Sequence, residues 1–287
     1  RLTRAPPATQ ITRQRLMARL ALGFTRLPLQ RQGHRVQRPQ SDTMQSEKAA
    51  PPVTSTAQSP IETVTCRSID FPVDRHLLHE RVIASLAAGR YEGQEANVVE
   101  KILRSGDRVL ELGGGVGLIS GLCGVDERVD AVRTFEADPR MAAYITRVHA
   151  LNRITKPDVC NAVLSHSLNV THVPFYVRDP FWGSSLCPTP GDYVNVVEVP
   201  LQSFNNVVTT FRPTIVICDI EGGEVEIMKH ANLTGVSRVI VELHSRITGG
   251  KGVHSVFQSL GARGFIYNQF HSTKSVVLFS MQHSLNY

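Results

Sequence analysis

Four short apolar runs in this chain each end on side chains that can hold a charge or move a proton. Val109-Leu110 leads into Glu111 and then Gly113, Gly115 and Gly117; Phe135 leads into Glu136; Cys218 leads into Asp219, Glu221 and Glu224; and Val241-Glu242-Leu243 leads into His244. Glycines at alternate positions allow φ > 0 and let a ligand lie against bare backbone. Glu111, just ahead of that turn, is an anion suited to an ammonium. Glu136 follows the turn at about 20 residues, the spacing at which an acidic side chain can accept from both hydroxyls of a ribose. Asp219 and Glu221 share one strand face if the strand persists that far. Carboxylates at such an edge could orient a hydroxyl, take its proton or hold a divalent metal. Glu224 reads as a helix-start acid favoured by the helix dipole. A neutral imidazole at His244 suits a general base near pH 7. The plainer readings are a structural turn, solvated strand-end charges and a helix cap.

These groups meet only if the elements carrying them line up. Helical spacing predicts helices over Arg75–Ala88 and Gln94–Leu103. Strand and helix then alternate. Arg108–Leu112 is followed by a helix at Val116–Leu122, and Ala131–Glu136 by Pro139–Leu151, with Asp138 and Pro139 as N-cap and first residue. Val159–Leu164 reads as a strand, and short strands near Val173–Val177 and Tyr193–Val199 flank a loop. Strand Thr214–Ile220 precedes helix Glu224–His230, and strand Arg238–Leu243 precedes helix Val253–Leu260. Gly264–Tyr267 and Ser275–Ser280 read as a terminal β pair. The alternation implies an α/β fold: a Rossmann-like, doubly wound seven-stranded sheet, mostly parallel, with an antiparallel C-terminal strand.

Composition narrows the class. Hydrophobic content is 41%, ordinary for a globular protein, and no apolar run is long enough to span a membrane. The five cysteines are scattered with no C-x-x-C pair, which argues for reduced thiols rather than a disulfide frame or zinc cluster. The formal charge of +6 comes from one end: residues 1–40 hold nine arginines, no lysine and no acid. The remainder carries 22 basic against 25 acidic side chains, so no basic nucleic-acid face is expected of it. Residues 1–60, rich in Arg, Pro, Gln, Ser and Thr, read as a tail unable to bury enough apolar surface to order itself. The folded domain is then expected over 61–287, with its N-terminal helices in 74–104. A cytoplasmic protein is expected, or an organellar one if the Arg-rich start is a transit peptide.

The glycine spacing fits the E/D-x-G-x-G-x-G turn of S-adenosylmethionine (SAM) methyltransferases. The dinucleotide pattern G-x-G-x-x-G would need glycine at 118, where Leu118 stands. Over about residues 74–280 the chain resembles the FkbM-type SAM-dependent methyltransferases. Tyr91-Glu92, the 109–117 block and Phe135-Glu136-Ala137-Asp138-Pro139 look like that family's cofactor blocks. Asn161-Ala162-Val163-Leu164-Ser165 resembles its adenine block, and Gly183-Ser184-Ser185-Leu186 its serine-containing loop. Asp219-Ile220-Glu221-Gly222-Gly223-Glu224 resembles its D-x-E-G-x-E signature, and Glu242-Leu243-His244 its E-L-H strand end. Gly114-Gly115 departs from the Ala-Asn the family often has there.

The resemblance implies SAM as cofactor, held by Tyr91, Glu92, Glu111, Gly113, Gly115, Gly117, Glu136, Asn161, Ala162 and Asp219. It implies catalysis by Asp219, Glu221 and His244, and an acceptor opening lined by Ser184 and Ser185. The implied reaction is O-methylation of a small molecule or glycan, such as a sugar or polyketide, with no nucleic acid as partner. The rival readings are a nicotinamide oxidoreductase, a non-catalytic SAM-binding protein and a nucleic-acid methylase. The last lacks the N/D-P-P-Y/F tetrad.

Overall fold

The computed structural model describes residues 61–187 and 193–282; the tail expected over residues 1–60 lies outside them. The first element, unexpected from the sequence, is a hairpin of β1 (Thr63–Cys66) and β2 (Ile69–Pro72). Its two-residue turn places Arg67 and Ser68 at φ 48° and 66°, the left-handed geometry normally given to Asn-Gly. Arg67 is held there by Glu100 (2.7 Å) and Asn97 (2.6 Å).

Helices α1 (Glu80–Ala87) and α2 (Gly93–Ile102) follow. The helix expected from Arg75 starts later, because Asp74 turns the chain first. Its carbonyl accepts from Leu77 and Leu78, and His79 then caps α1 by accepting from the Arg81 N–H at 3.1 Å. Next come β3 (Asp107–Leu112), α3 (Leu118–Val125), β4 (Val129–Glu136), α4 (Pro139–Leu151) and β5 (Pro157–Asn161). The strand expected over 159–164 breaks at Ala162, whose N–H folds back to the Cys160 carbonyl at 3.1 Å. The chain there leaves the main sheet for β6 (Val163–Ser165), which joins β7 (His172–Val177) and β8 (Asn195–Ser203) in a small sheet of order β6-β8-β7.

An unpredicted helix, α5 (Phe204–Phe211), precedes β9 (Ile215–Cys218), α6 (Glu224–His230), β10 (Arg238–Glu242), α7 (Ser245–Gly261), β11 (Phe265–Asn268) and β12 (Val276–Met281). Strand β9 stops at Cys218, two residues short of the expected Ile220, so Asp219 and Glu221 sit in a turn rather than along one strand face. Helix α7 begins earlier than Val253, with its first turn set off by a non-helical Gly249.

The main sheet runs β5-β4-β3-β9-β10-β12-β11, which counted within the sheet is 3-2-1-4-5-7-6. Every neighbouring pair is parallel except those made by β12. Residues alternate across it. Val109 faces the core beneath α1 to α4, whereas Leu110 and Leu112 face the core beneath α5 to α7. The order reverses between β3 and β9, and in open α/β sheets ligands bind in the crevice beyond the carboxyl ends of the strands at that point. Among the described residues, no helix is long and apolar enough to cross a membrane.

Candidate functional site

The reversal point is built from bare backbone. Gly113 N–H reaches the Phe135 carbonyl and Asp219 N–H the Leu112 carbonyl, both at 2.9 Å, so the loops after β3 and β9 leave the sheet locked side by side. Gly113 has φ 88°, and a Cβ on it would stand 1.8 Å from the Asp219 carbonyl oxygen. Gly115 (φ 53°) lies under Tyr91 and Glu92; a Cβ there would meet Glu92 Oε1 at 2.8 Å. Gly117 (φ 85°) packs on Ile145, so α4 closes the outer side of the turn.

Glu136 ends β4 over this turn. Its Oε2 accepts from Gly115 N at 3.0 Å and its Oε1 from Asp138 N at 2.8 Å. Burial pushes its carboxyl up to about 7 despite those bonds. Asn161 spends its amide on the Glu136 and Ala137 carbonyls (2.8 and 3.0 Å), fixing the end of β4 beside the buried Ala162. Glu111 is 2% exposed and on the α2–α3 side of the sheet. Burial lifts its carboxyl to about 8, against the pull of Thr134 and Ser120, and its Oε2 has no hydrogen-bond partner. Tyr91 donates its hydroxyl to Glu92, whose carboxyl is driven well above the ordinary range by burial and then by Glu111, Glu95 and Glu242.

A second cluster adjoins the first. His244 lies just past β10, and its backbone N–H donates to Glu224 Oε1 at 3.1 Å. Its carbonyl accepts from Ile247 and Thr248, the opening turn of α7. Three carboxylates surround its Nε2: Asp219 at 3.5 Å, Glu221 at 3.7 Å and Glu242 at 3.8 Å. On the other side of the ring, Glu224 Oε1 lies 3.7 Å from Nδ1. Burial alone would lower the imidazole, but these carboxylates outweigh it and raise it to about 9. It therefore carries a proton at neutral pH in this arrangement, unlike the neutral base expected. Asp219 is raised well above its usual value by burial, then by Glu242 and Glu92.

The structure thus brings Asp219, Glu221 and His244 together, and Tyr91, Glu92, Glu111, Glu136 and the glycines together beside them. Ser184 and Ser185 stand apart in role: both are bound to Arg178, which takes Ser184 Oγ on its backbone N–H (2.9 Å) and Ser185 Oγ on Nη1 (2.9 Å). Glu242 and Glu95 were assigned no role from the sequence. Glu242 had a signal, since it shares a strand face with His244 two residues on. Glu95 had none, because only packing turns α2 inward.

Behind Glu111 runs a polar thread. Ser120, one of its partners, also meets His149 Nε2 at 3.3 Å. His149 is 4% exposed, and burial lowers it to about 4 from an ordinary 6.5. Above about pH 6.5 it is neutral folded or unfolded and costs nothing. Between there and about pH 4 only the unfolded chain takes the proton, so stability falls as pH falls. The total is about 3 kcal/mol. Glu111, raised in the fold, works in the opposite sense. His149→Gln will therefore show its effect as a difference: urea midpoints of the variant and the parent will diverge on acidification across this window. Parallel curves would show that His149 titrates alike in the folded and unfolded chain.

A sheet of this order, entered through a glycine turn at its first strand, is the class I methyltransferase fold. No protein-family model and no curated protein matches the chain. Solved structures similar to it include TYW2 of M. jannaschii in complex with AdoMet, at 10% identity over 78% of this chain and 87% of that one, with a TM-score of 0.41. Another is the precorrin-6y C5,15-methyltransferase of Geobacter metallireducens GS-15, at 10% identity over 69% and 82%, with a TM-score of 0.39. The fold assignment rests on strand order and direction, not on these likenesses.

Proposed function

We propose that the chain is a SAM-dependent methyltransferase acting on a hydroxyl oxygen of a small metabolite, sugar or polyketide, as its FkbM-like motifs imply. The observation that carries this reading is the sign of the crevice. Glu92, Glu111, Glu136 and Asp219 all face the reversal point. Each is raised first by burial, each also feels a further carboxylate, and no arginine or lysine is among the strongest influences on any of them. Such a site disfavours a dinucleotide, with its two phosphates, or a polyanionic acceptor. It favours a ligand that brings cations and no phosphate. SAM brings an ammonium and a sulfonium. The unpartnered Oε2 of Glu111 suits the ammonium, Glu136 the ribose hydroxyls, and Asn161 and Ala162 border the place for the adenine.

The sulfonium charge disappears as the methyl group moves, so the protein's main task is to align oxygen, methyl carbon and sulfur. Such alignment can supply about 7–11 kcal/mol. Asp219, 3.5 Å from the protonated His244, is the group that would take the hydroxyl proton, with His244 and Glu221 placing it. Ser184 and Ser185 would border the acceptor from the loop held by Arg178.

Calorimetry on the full chain tests the cofactor directly. SAM and S-adenosylhomocysteine are expected to bind and NAD to give no heat; NAD binding without SAM binding would overturn the reading. Incubation with hydroxylated acceptors should then release S-adenosylhomocysteine. SAM binding with no release from any acceptor would reduce the protein to a SAM-binding one.

A further inference from the structure

The spacing around His244 asks for something more than a protein contact. Three carboxylate oxygens approach its Nε2 at nearly one radius, 3.5, 3.7 and 3.8 Å, and none closes to hydrogen-bond distance. An imidazolium among three acids would be expected to draw at least one of them to about 2.8 Å. Ligands around a tetrahedral ion behave differently. With bonds of about 2.1 Å they stand about 3.4 Å from one another, each held off by the charge between them. Asp219, Glu242 and His244 can each turn one donor atom into a common volume, all within 4.8 Å of one another.

Glu224 is an independent observation. It is 1% exposed, its Oε2 has no hydrogen-bond partner, and its Oε1 is turned onto the Nδ1 side of His244. At 3.7 Å it does not bond Nδ1, which is itself without a partner, but it stands on the side of the ring that the outer carboxylate takes in carboxylate–histidine–metal triads. The geometry points to a divalent transition-metal site formed by His244 Nε2, Asp219 and Glu242, three protein ligands with the fourth position open, as in catalytic metal sites. One imidazole with carboxylates suits a first-row ion such as Zn²⁺, Mn²⁺ or Co²⁺; Ca²⁺ would need six to eight oxygens. The proposal does not depend on methyl transfer. On that reading alone, the ion would also lower the pKa of an acceptor hydroxyl bound to it.

Co²⁺ titration of the full chain without SAM is the test, so loss of SAM binding and loss of metal binding are read separately. One equivalent should bind and give the intense visible bands of a four-coordinate ion. His244→Gln should weaken binding about a hundredfold or more, and so should Glu242→Gln, whose side chain, 27% exposed at a strand end, is not part of the core. Glu224→Gln should cost about 10–100-fold, the range for outer-shell partners. Far-UV circular dichroism checks that each variant is folded. The described residues hold one other candidate group, the exposed His166, Glu226 and His230. Binding that is lost in His230→Gln but survives in both His244→Gln and Glu242→Gln overturns the proposal, as does the absence of stoichiometric binding.

Discussion

Gly113→Ala is expected to abolish SAM binding, by about a hundredfold or more, without unfolding the chain. The reason is which atom stands in the way. A Cβ at 113 would lie 1.8 Å from the carbonyl oxygen of Asp219 and 2.9 Å from its carbonyl carbon. Both belong to backbone already tied to Leu112, so neither can swing aside. The φ of 88° adds strain for any L side chain. The two loops must separate, and that moves the cofactor turn and Asp219 together. Gly115→Ala is the contrast. The nearest atom there is the far end of the Glu92 side chain at 2.8 Å, which can rotate away. Its effect should be well below that of Gly113→Ala, for a loss near 1.4 kcal/mol is only about tenfold. Calorimetry with SAM orders the two. Equal losses, or an unimpaired Gly113→Ala, would mean that the contact between the β3 and β9 loops does not shape the cofactor site.

Much of this arrangement is written locally and can be read from the sequence. The turn 111–117 carries its own requirement for glycine, and Asp138-Pro139 announces α4 to the residue. Strand alternation with helices gives the sheet class. What is lost is whatever depends on partners remote in sequence. The β1–β2 turn uses Arg67 and Ser68 where Asn-Gly would be the signal, and it is held by contacts to α2 about thirty residues on. Helix α5 is composed of residues of poor helix propensity, Asn205, Asn206, Val207, Val208, Thr209 and Thr210. It forms because Phe204, Val207, Val208 and Phe211 bury one stripe and Ser203 caps the start. That stripe is visible in the sequence at i, i+3, i+4 and i+7, and propensity hides it. Strand β9 ends before Asp219 because its loop must pass Gly113, a constraint no local pattern records. The convergence of Glu92, Glu95, Glu111 and Glu242 on one crevice is likewise a tertiary fact. In the sequence Glu111 stands out by its place before the glycine turn and Glu92 by the family resemblance, but nothing there shows that the four acids meet.

Asp107→Ala should be the most destabilising single change at the opposite edge of the sheet, by about 3–5 kcal/mol. Asp107 and Arg238 are 2% and 4% exposed and lie 2.5 Å apart at the amino ends of β3 and β10. Thr214, entering β9 between them, donates its hydroxyl to Asp107 Oδ1 at 2.7 Å, so one carboxylate ties three parallel strands. Arg238 also donates to the Ile102 carbonyl. Without Asp107, a guanidinium is left buried with no counter-charge, and that desolvation, more than the lost attraction, sets the cost. It follows that the pair should be partly dispensable when both charges go. Asp107→Leu with Arg238→Met should recover most of the loss, because apolar groups of similar size leave no charge stranded. Urea unfolding of the single and double variants measures this. A double variant as unstable as Asp107→Ala would show that packing, not the stranded charge, is what the pair supplies. The strand from Asp107 to Gly113 spans about 20 Å, so SAM affinity under native conditions should be unchanged in either variant. Stability would then be anchored at the amino edge of the sheet, leaving the carboxyl edge free to hold a crowd of buried acids.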